Sequence, residues 1–344
     1  MKALYPYMDE YWRDHFTVRG SHLLNFQMSC TPANAPISAR PDWRSGTAPP
    51  GSDLTLLQSA MDQFGTRLAI CNCIHWGQAL QSEDMSAVVC RAVNKWIADK
   101  WLANDARLRA SILIPSESPE QAVEEIERCG QDPRFVQVLM LASGEMPLGR
   151  RRYWPIYQAA QALGLPIGIH IGSSYRFPPS PAGWGSSFIG DYVGQPFIFQ
   201  GQLLSLVSEG AFTKHPDLKV VCMESGFTWL PAFLWRADKG WRAVRREVPW
   251  LTNSPSEVVK QHVRFTMQPV NGPPDAAAFR EILEQIDADK VLLFSSDYPH
   301  WHFDGQDAVP DGFPEDTLRR VLVDNALDTF PRLSMPVVNK EVAI

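Results

Sequence analysis

The 344-residue sequence lacks several patterns that would assign it to a common functional class. It has no run of about 18 consecutive apolar residues, the length that a membrane span needs. The net charge is −6, and lysine and arginine are spread thinly, so they form no basic stripe for a nucleic-acid backbone. No glycine-rich phosphate loop follows a predicted strand. We therefore expect no membrane association, no nucleic-acid partner and no nucleotide chemistry.

Paired cysteines and a leader segment are also missing. The six cysteines show no CxxC spacing, and several lie inside apolar segments, where a reduced, small core residue is their usual role. The chain begins MKALYPYMDEYWRDHF, which is too polar and aromatic for a signal peptide. These observations predict a soluble, cytoplasmic protein.

Short β-branched runs alternate with longer helical patterns, which is typical of βα units and a parallel sheet. Seven strands are predicted, at residues 67–73, 108–114, 135–141, 165–171, 218–224, 263–267 and 291–296. Chain length and element order favour one α/β domain over residues 1–344, a (β/α)8 TIM barrel. Seven strands are one short of closure. The missing one belongs at the amino-terminal side, where the chain opens in an amphipathic segment.

Two long segments outside this pattern are predicted to be loops. Residues 1–50 include a loop-like stretch, 29–50, and are predicted to wrap the barrel surface. Residues 173–199 are rich in Gly, Pro, Ser and aromatics and directly follow the strand at 165–171. Because long loops at strand ends often cover active sites, we expect residues 173–199 to form a lid.

Three ionisable residues stand where apolar strands end, the place where a barrel presents catalytic groups. His170 interrupts LPIGIHI, Glu224 closes LKVVCME, and Asp297 follows VLLFSS. Each has a structural alternative: a hydrogen-bonded core histidine, a carboxylate paired with arginine, or a helix cap. Their shared position predicts instead one enzyme site on the barrel rim, with Asp297 and Glu224 as candidate catalytic groups.

Four further residues are candidates for substrate contacts. His300 follows Asp297 closely and could orient it, and His75 lies after the first predicted strand. Arg176 and Trp184 belong to the predicted lid, where a guanidinium could bind a carboxylate and an indole could pack on a ring. For the lid residues, a solvated loop is the structural alternative.

Three longer motifs carry a family resemblance. They are RRYWPIYQAAQALGLPIGIHIG at 151–172, HPDLKVVCMESGFTWLP at 215–231 and LLFSSDYPHW at 292–301. Together they resemble the amidohydrolase-related proteins grouped with aminocarboxymuconate semialdehyde decarboxylase and γ-resorcylate decarboxylase. The resemblance implies a divalent metal in the barrel, with His170 matching the histidine that ends the fifth strand and Asp297 the aspartate that ends the eighth. It thereby implies that His170 is a metal ligand and that Asp297 is a metal ligand or a proton-transfer group.

The sequence departs from this family pattern in two places. Members normally open with a strand bearing an HxH or ExH pair of ligands, and no such strand is found here. Either the protein continues upstream of this sequence or it is a variant without those ligands. Relatives often place histidine before Gly-Gly at the sixth strand, whereas Glu224 precedes Ser225 here. A protonation mechanism that depends on that histidine therefore cannot be transferred unchanged.

These observations predict a metal-dependent hydrolase or non-oxidative decarboxylase that acts on a small cyclic or aromatic carboxylate or carbonyl compound. We expect a divalent metal, zinc first and manganese as the alternative. A catalytically inactive barrel that serves as a binding or scaffold subunit is the competing hypothesis, since the HxH strand is missing. A homodimer is predicted, with the Trp-rich helix at 227–246 as its candidate surface.

Overall fold

The strands of this protein pair in one parallel sheet. The computed structural model describes residues 1–20, 51–172, 177–178, 180, 182–300 and 308–333. Within them, seven strands follow each other in chain order, and each pairs in parallel with the next. They are β1 (Ala69–Cys71), β2 (Leu108–Leu113), β3 (Phe135–Leu141), β4 (Ile167–His170), β5 (Val220–Met223), β6 (Val263–Thr266) and β7 (Leu292–Leu293). The predicted α/β barrel architecture with seven strands is confirmed.

Helices connect the strands. Those of the described residues are α1 (Glu10–Arg19), α2 (Leu54–Gln63), α3 (Glu83–Ile97), α4 (Pro119–Cys129), α5 (Trp154–Ala162), α6 (Phe188–Ser208), α7 (Ala211–Lys214), α8 (Leu230–Val244), α9 (Pro255–His262), α10 (Ala276–Gln285), α11 (Ala288–Val291), α12 (Glu315–Arg319) and α13 (Asn325–Thr329). None of them combines the length and the apolar character that crossing a bilayer requires.

Buried side chains on the strands form two layers. On β2 and β3, Ile112 and Val138 pack with the helices, whereas Leu113 and Leu139 belong to a second cluster on the opposite face. All four are almost fully buried. Alternate residues of a strand point to opposite faces, so a continuous apolar run is what a strand covered on both sides needs.

The last strand is shorter than its sequence predicts. A strand is expected at 291–296, but β7 contains only Leu292 and Leu293. Val291 ends the short helix α11, and the N–H of Phe294 donates to the carbonyl oxygen of Val321 instead of to a strand. The chain therefore leaves the sheet before it reaches Asp297.

The prediction of a loop over residues 173–199 is wrong for its second half. The chain is helical from residue 188 onward, in α6. Tertiary hydrogen bonds fix its carboxyl-terminal half to the loop after β3. Gln202 accepts from the N–H of Leu148 at 2.7 Å and donates to the carbonyl of Ala142 at 2.6 Å. The hydroxyl of Ser205 accepts from the N–H of Gly149 at 3.1 Å. Residues 173–176, 179 and 181 of the predicted lid, and the stretch 29–50, lie outside the described residues.

Candidate metal and catalytic site

Three strand ends deliver the predicted ionisable residues to one edge of the sheet. His170 is the last residue of β4, Glu224 directly follows β5, and Asp297 follows β7. All strands are parallel, so their carboxyl ends lie on the same side of the barrel. The residues that the sequence predicts as ligands and catalytic groups therefore share one location.

Their side chains are connected through contacts with Glu224 and with a fourth residue, His300. Nδ1 of His300 lies 2.9 Å from Oδ1 of Asp297 and 3.1 Å from Oε1 of Glu224. Nε2 of His170 lies 3.5 Å from Oε2 of Glu224. The side chains of His170 and Asp297 are 9% and 8% exposed, while that of His300 is 37% exposed. We call these four residues the acid–imidazole cluster.

The backbone of both carboxylate residues, Glu224 and Asp297, adopts the left-handed conformation. Glu224 and Asp297 each have a φ of 53°. Positive φ is uncommon outside glycine, and such strain concentrates at functional sites where the surroundings hold it in place. Here the N–H of Glu224 donates to Oγ1 of Thr266 at 3.1 Å, and the N–H of His300 donates to the carbonyl of Asp297 at 2.8 Å. These bonds fix the direction in which the two carboxylates point.

The charges of the cluster compensate one another. Burial, together with a hydrogen bond to Asp297, raises the pKa of Glu224 above its ordinary value. Burial alone would lower the pKa of His300, but its hydrogen bonds to Asp297 and Glu224 outweigh that effect and raise the pKa to about 10. His300 is consequently an imidazolium at neutral pH. Its positive charge stabilises two acids that would otherwise repel each other.

A backbone carbonyl fixes the orientation of the His170 ring. Its Nδ1 is hydrogen-bonded to the carbonyl oxygen of Ile171. Because a carbonyl can only accept, Nδ1 carries a hydrogen, so the nitrogen that a neutral ring would offer as a ligand is Nε2, on the side of Glu224. A backbone carbonyl that fixes the tautomer in this way is the usual partner of a metal-binding histidine.

The cluster fits a divalent metal. Glu224, Asp297 and, once it has given up a proton, His300 can each offer a ligand atom, and those atoms all lie within 4.8 Å of one another. Nε2 of His170 adds a fourth donor beside Glu224. Two carboxylates with imidazole nitrogens form a set suited to manganese or zinc.

The other predicted substrate residues are not part of the acid–imidazole cluster, or lie outside the described residues. His75 caps a short 3₁₀ helix, its Nδ1 accepting from the N–H of Gly77 at 3.1 Å, and burial lowers its pKa to about 4. Trp184 precedes α6 and is 46% exposed. Arg176 lies outside the described residues. Substrate contacts by these three residues stay predictions.

Two neighbours of the cluster are missing from the sequence prediction. Tyr192 on α6 is hydrogen-bonded to Asn271, which follows β6. Burial, followed by the charges of Asp297 and Glu224, raises the pKa of Tyr192 to about 12. Tyr192 falls in the segment that the sequence predicts to be a loop, so its direction could not be inferred. A useful signal was available in Ser187, since serine one position before a helix is a common cap and its side chain caps α6 here.

Comparisons with known proteins identify the family of this chain. The family model described as amidohydrolase matches residues 41–332. The γ-resorcylate decarboxylase of Polaromonas sp. strain JS666 is 26% identical over 248 residues, which are 66% of this chain and 71% of the relative.

Solved structures share the fold. The crystal structure of 5-carboxyvanillate decarboxylase from Sphingomonas paucimobilis superposes with a TM-score of 0.64 at 21% identity, covering 80% of this chain and 82% of that one. Dihydroxybenzoic acid decarboxylase from Polaromonas sp. JS666, crystallised with manganese and the inhibitor 2-nitroresorcinol, superposes with a TM-score of 0.60 at 20% identity, covering 80% and 85% of the two chains.

Proposed function

Since this chain belongs to the amidohydrolase family, we propose that it is a metal-dependent, non-oxidative decarboxylase of small aromatic carboxylates. The observation that carries the proposal is the convergence of His170, Glu224, Asp297 and His300 at one barrel edge, with contacts of 2.9 to 3.5 Å. The named relatives, which act on resorcylate and carboxyvanillate, support this reaction class. Convergence of buried, compensated charges also favours an enzyme over an inactive scaffold barrel.

The metal would be held by Nε2 of His170 and by carboxylate oxygens of Glu224 and Asp297. When bound, a divalent metal supplies a positive charge that polarises substrate oxygens. We propose manganese ahead of zinc, because carboxylate-rich donor sets suit manganese and because related decarboxylases were crystallised with it.

The protein's own residues would supply the proton. Decarboxylation breaks the bond between the ring and the carboxyl carbon, and carbon dioxide leaves without that electron pair. The pair stays on the ring carbon, which must take up one proton. We propose that Asp297 relays this proton to the ring carbon and that His300, whose Nδ1 lies 2.9 Å from Oδ1 of Asp297, resupplies it. Glu224 would hold His300 in place through its 3.1 Å contact.

Incubation with manganese and two substrates tests the proposal. Purified protein is mixed separately with 2,6-dihydroxybenzoate and 5-carboxyvanillate, and carbon dioxide and the decarboxylated ring are quantified together with bound metal. We expect equal amounts of carbon dioxide and ring product, loss of turnover with a chelator, and recovery with manganese. Absence of carbon dioxide from both substrates with manganese bound would contradict the decarboxylase, and undiminished turnover by metal-free protein would contradict a metal role.

We also propose that the protein is a cytoplasmic homodimer. All five described cysteines are free thiols, which agrees with a reducing compartment. Trp235 on α8 is 62% exposed, and exposed tryptophans are enriched at protein interfaces. Light scattering is expected to give twice the chain mass of 38.7 kDa. Trp235→Ser is expected to shift the mass toward the monomer, and a wild-type monomer would contradict the proposal.

A further inference from the structure

A small cavity lies among the loops that follow β1, β2 and β3. Gln78 belongs to the first of these loops, Ser116 and Glu117 to the second, and Ser143 to the third. The loops follow the carboxyl ends of parallel strands, so the cavity lies on the same side of the barrel as the acid–imidazole cluster. The described residues that line it include no member of that cluster. Its volume is about 10 Å³, which is room for one particle of the size of a water molecule.

The amide of Gln78 has an oxygen that the fold leaves for a ligand. Its Nε2 donates to the carbonyl oxygens of Leu139 at 2.8 Å and Ile114 at 3.3 Å. Because carbonyls only accept, these two bonds fix which end of the amide is the nitrogen. Gln78 is 3% exposed, and among the described residues its Oε1 has no hydrogen-bond partner. A buried oxygen of this kind requires a hydrogen-bond donor or a cation beside it.

Ser116 and Glu117 add a hydroxyl and a negative charge. Ser116 is 8% exposed, and its Oγ has no hydrogen-bond partner within the part of the chain that the structure describes. The carboxylate of Glu117 is fixed, because it accepts from the hydroxyl of Tyr153 at 2.9 Å and from the N–H of Glu145 at 3.0 Å. Each carboxylate oxygen has a second lone pair, so Glu117 can still bind a ligand.

The chemistry of these groups selects a monovalent cation. Hard cations prefer oxygen ligands, and Gln78 turns its nitrogen away. Glu117 is the charged residue among the described ones that line the cavity, and its single charge balances a single positive charge. A divalent ion would leave one positive charge uncompensated, and magnesium would also have to lose most of its water. A potassium ion is close to a water molecule in size, whereas a sodium ion is smaller.

We propose that this cavity binds a potassium ion, with Oε1 of Gln78, Oγ of Ser116 and the carboxylate of Glu117 among its ligands. The ion joins the loop after β1 to the loop after β2 and supplies the partner that the two buried oxygens need. Its role is separate from the proposed reaction, because it takes no part in binding the divalent metal or in moving a proton. Potassium therefore stabilises the folded protein.

Thermal unfolding in three chloride salts tests the site. Manganese-loaded protein is used, so that the acid–imidazole cluster already has its metal. Potassium or sodium replaces tetramethylammonium, which is too large for the cavity, at constant ionic strength. Between zero and about 100 mM potassium, we expect the unfolding midpoint to rise by about 2 °C or more along a saturation curve. Sodium is expected to give a smaller rise.

Two serine variants show whether the response comes from this cavity. Ser116→Ala removes one ligand oxygen and is expected to abolish the potassium response. In tetramethylammonium chloride the same variant is expected to be as stable as the wild type or more stable, because it removes a buried hydroxyl without a partner. Ser59→Ala is the control and is expected to keep the full response. Ser59 is exposed on α2, and its Oγ donates to the carbonyl oxygen of Thr55 at 2.9 Å.

Equal wild-type midpoints in potassium and tetramethylammonium would overturn the proposal and would indicate that water alone fills the cavity. A sodium response as large as that of potassium would also overturn it, as would a potassium response that persists in Ser116→Ala. The assay contains no aromatic carboxylate and measures no turnover. A protein that releases no carbon dioxide but is stabilised selectively by potassium would thus contradict the proposed function and leave the cation site standing.

Discussion

Replacing Asp297 with asparagine is expected to lower turnover of 2,6-dihydroxybenzoate by about 10²- to 10⁴-fold, the usual loss when a proton-transfer group is removed. Asparagine has nearly the same shape and tolerates the left-handed φ of 53° at this position. The substitution therefore removes a negative charge and a transferable proton while it preserves the backbone. Turnover and bound manganese are measured on the same preparation, and both are expected to fall.

The chain offers a matched control for this substitution. Asp287 also has a left-handed φ, 55°, but its carboxylate pairs with Lys260 at 3.2 Å, away from the acid–imidazole cluster. Asp287→Asn is expected to retain turnover and metal content close to those of the wild type. If Asp297→Asn were as active as Asp287→Asn, Asp297 would have no catalytic role. Circular dichroism on both variants excludes a difference in folding.

Replacing Gly149 with alanine is expected to lower the free energy of unfolding by about 3 kcal/mol or more, at the upper end of the cost of overpacking. A Cβ atom at this position would lie 2.1 Å from the carbonyl oxygen of Ser205 and 2.3 Å from its carbonyl carbon. Both are backbone atoms of α6, so no rotamer change can relieve the contact. The helix must move away, which breaks the hydrogen bonds of Ser205 and Gln202 to the loop after β3. Urea unfolding measures the loss.

Gly201→Ala tests whether this effect is specific to the contact. Gly201 lies on α6, four residues before Ser205, but a Cβ atom at Gly201 would meet no atom within 4 Å. Alanine is favoured over glycine inside a helix by about 1 kcal/mol, so this variant is expected to be as stable as the wild type or more stable. Similar unfolding midpoints for Gly149→Ala and Gly201→Ala would show that the close approach of α6 does not matter for stability.

The positions of the strands were predictable because buried parallel strands have a strong signal. Their apolar runs are nearly continuous, and an ionisable residue marks the carboxyl end of three of them. Thus His170 and Glu224 could be placed at one barrel edge from the sequence alone. Asp297 was also predicted at the edge, although the chain leaves the sheet several residues earlier than the pattern at 291–296 indicates.

Helix α6 was harder to predict. Gly190, Gly194, Pro196 and Gly201 interrupt its helical pattern, and each of these residue types lowers intrinsic helix propensity. Long-range contacts, such as those of Gln202, stabilise α6, and a single sequence does not show them. The contact between Tyr192 and Asn271 was missed for the same reason, since it depends on where α6 lies.

The left-handed conformation of Glu224 and Asp297 restricts how this enzyme could be redesigned or diversified. A randomised library at these two positions would be dominated by poorly folding clones, because β-branched and bulky side chains rarely adopt positive φ. Aspartate, asparagine, histidine and glycine are the residues that adopt a positive φ most readily. An exchange of glutamate for histidine at position 224 is thus conformationally accessible, and new chemistry at this edge would arise most easily through that replacement.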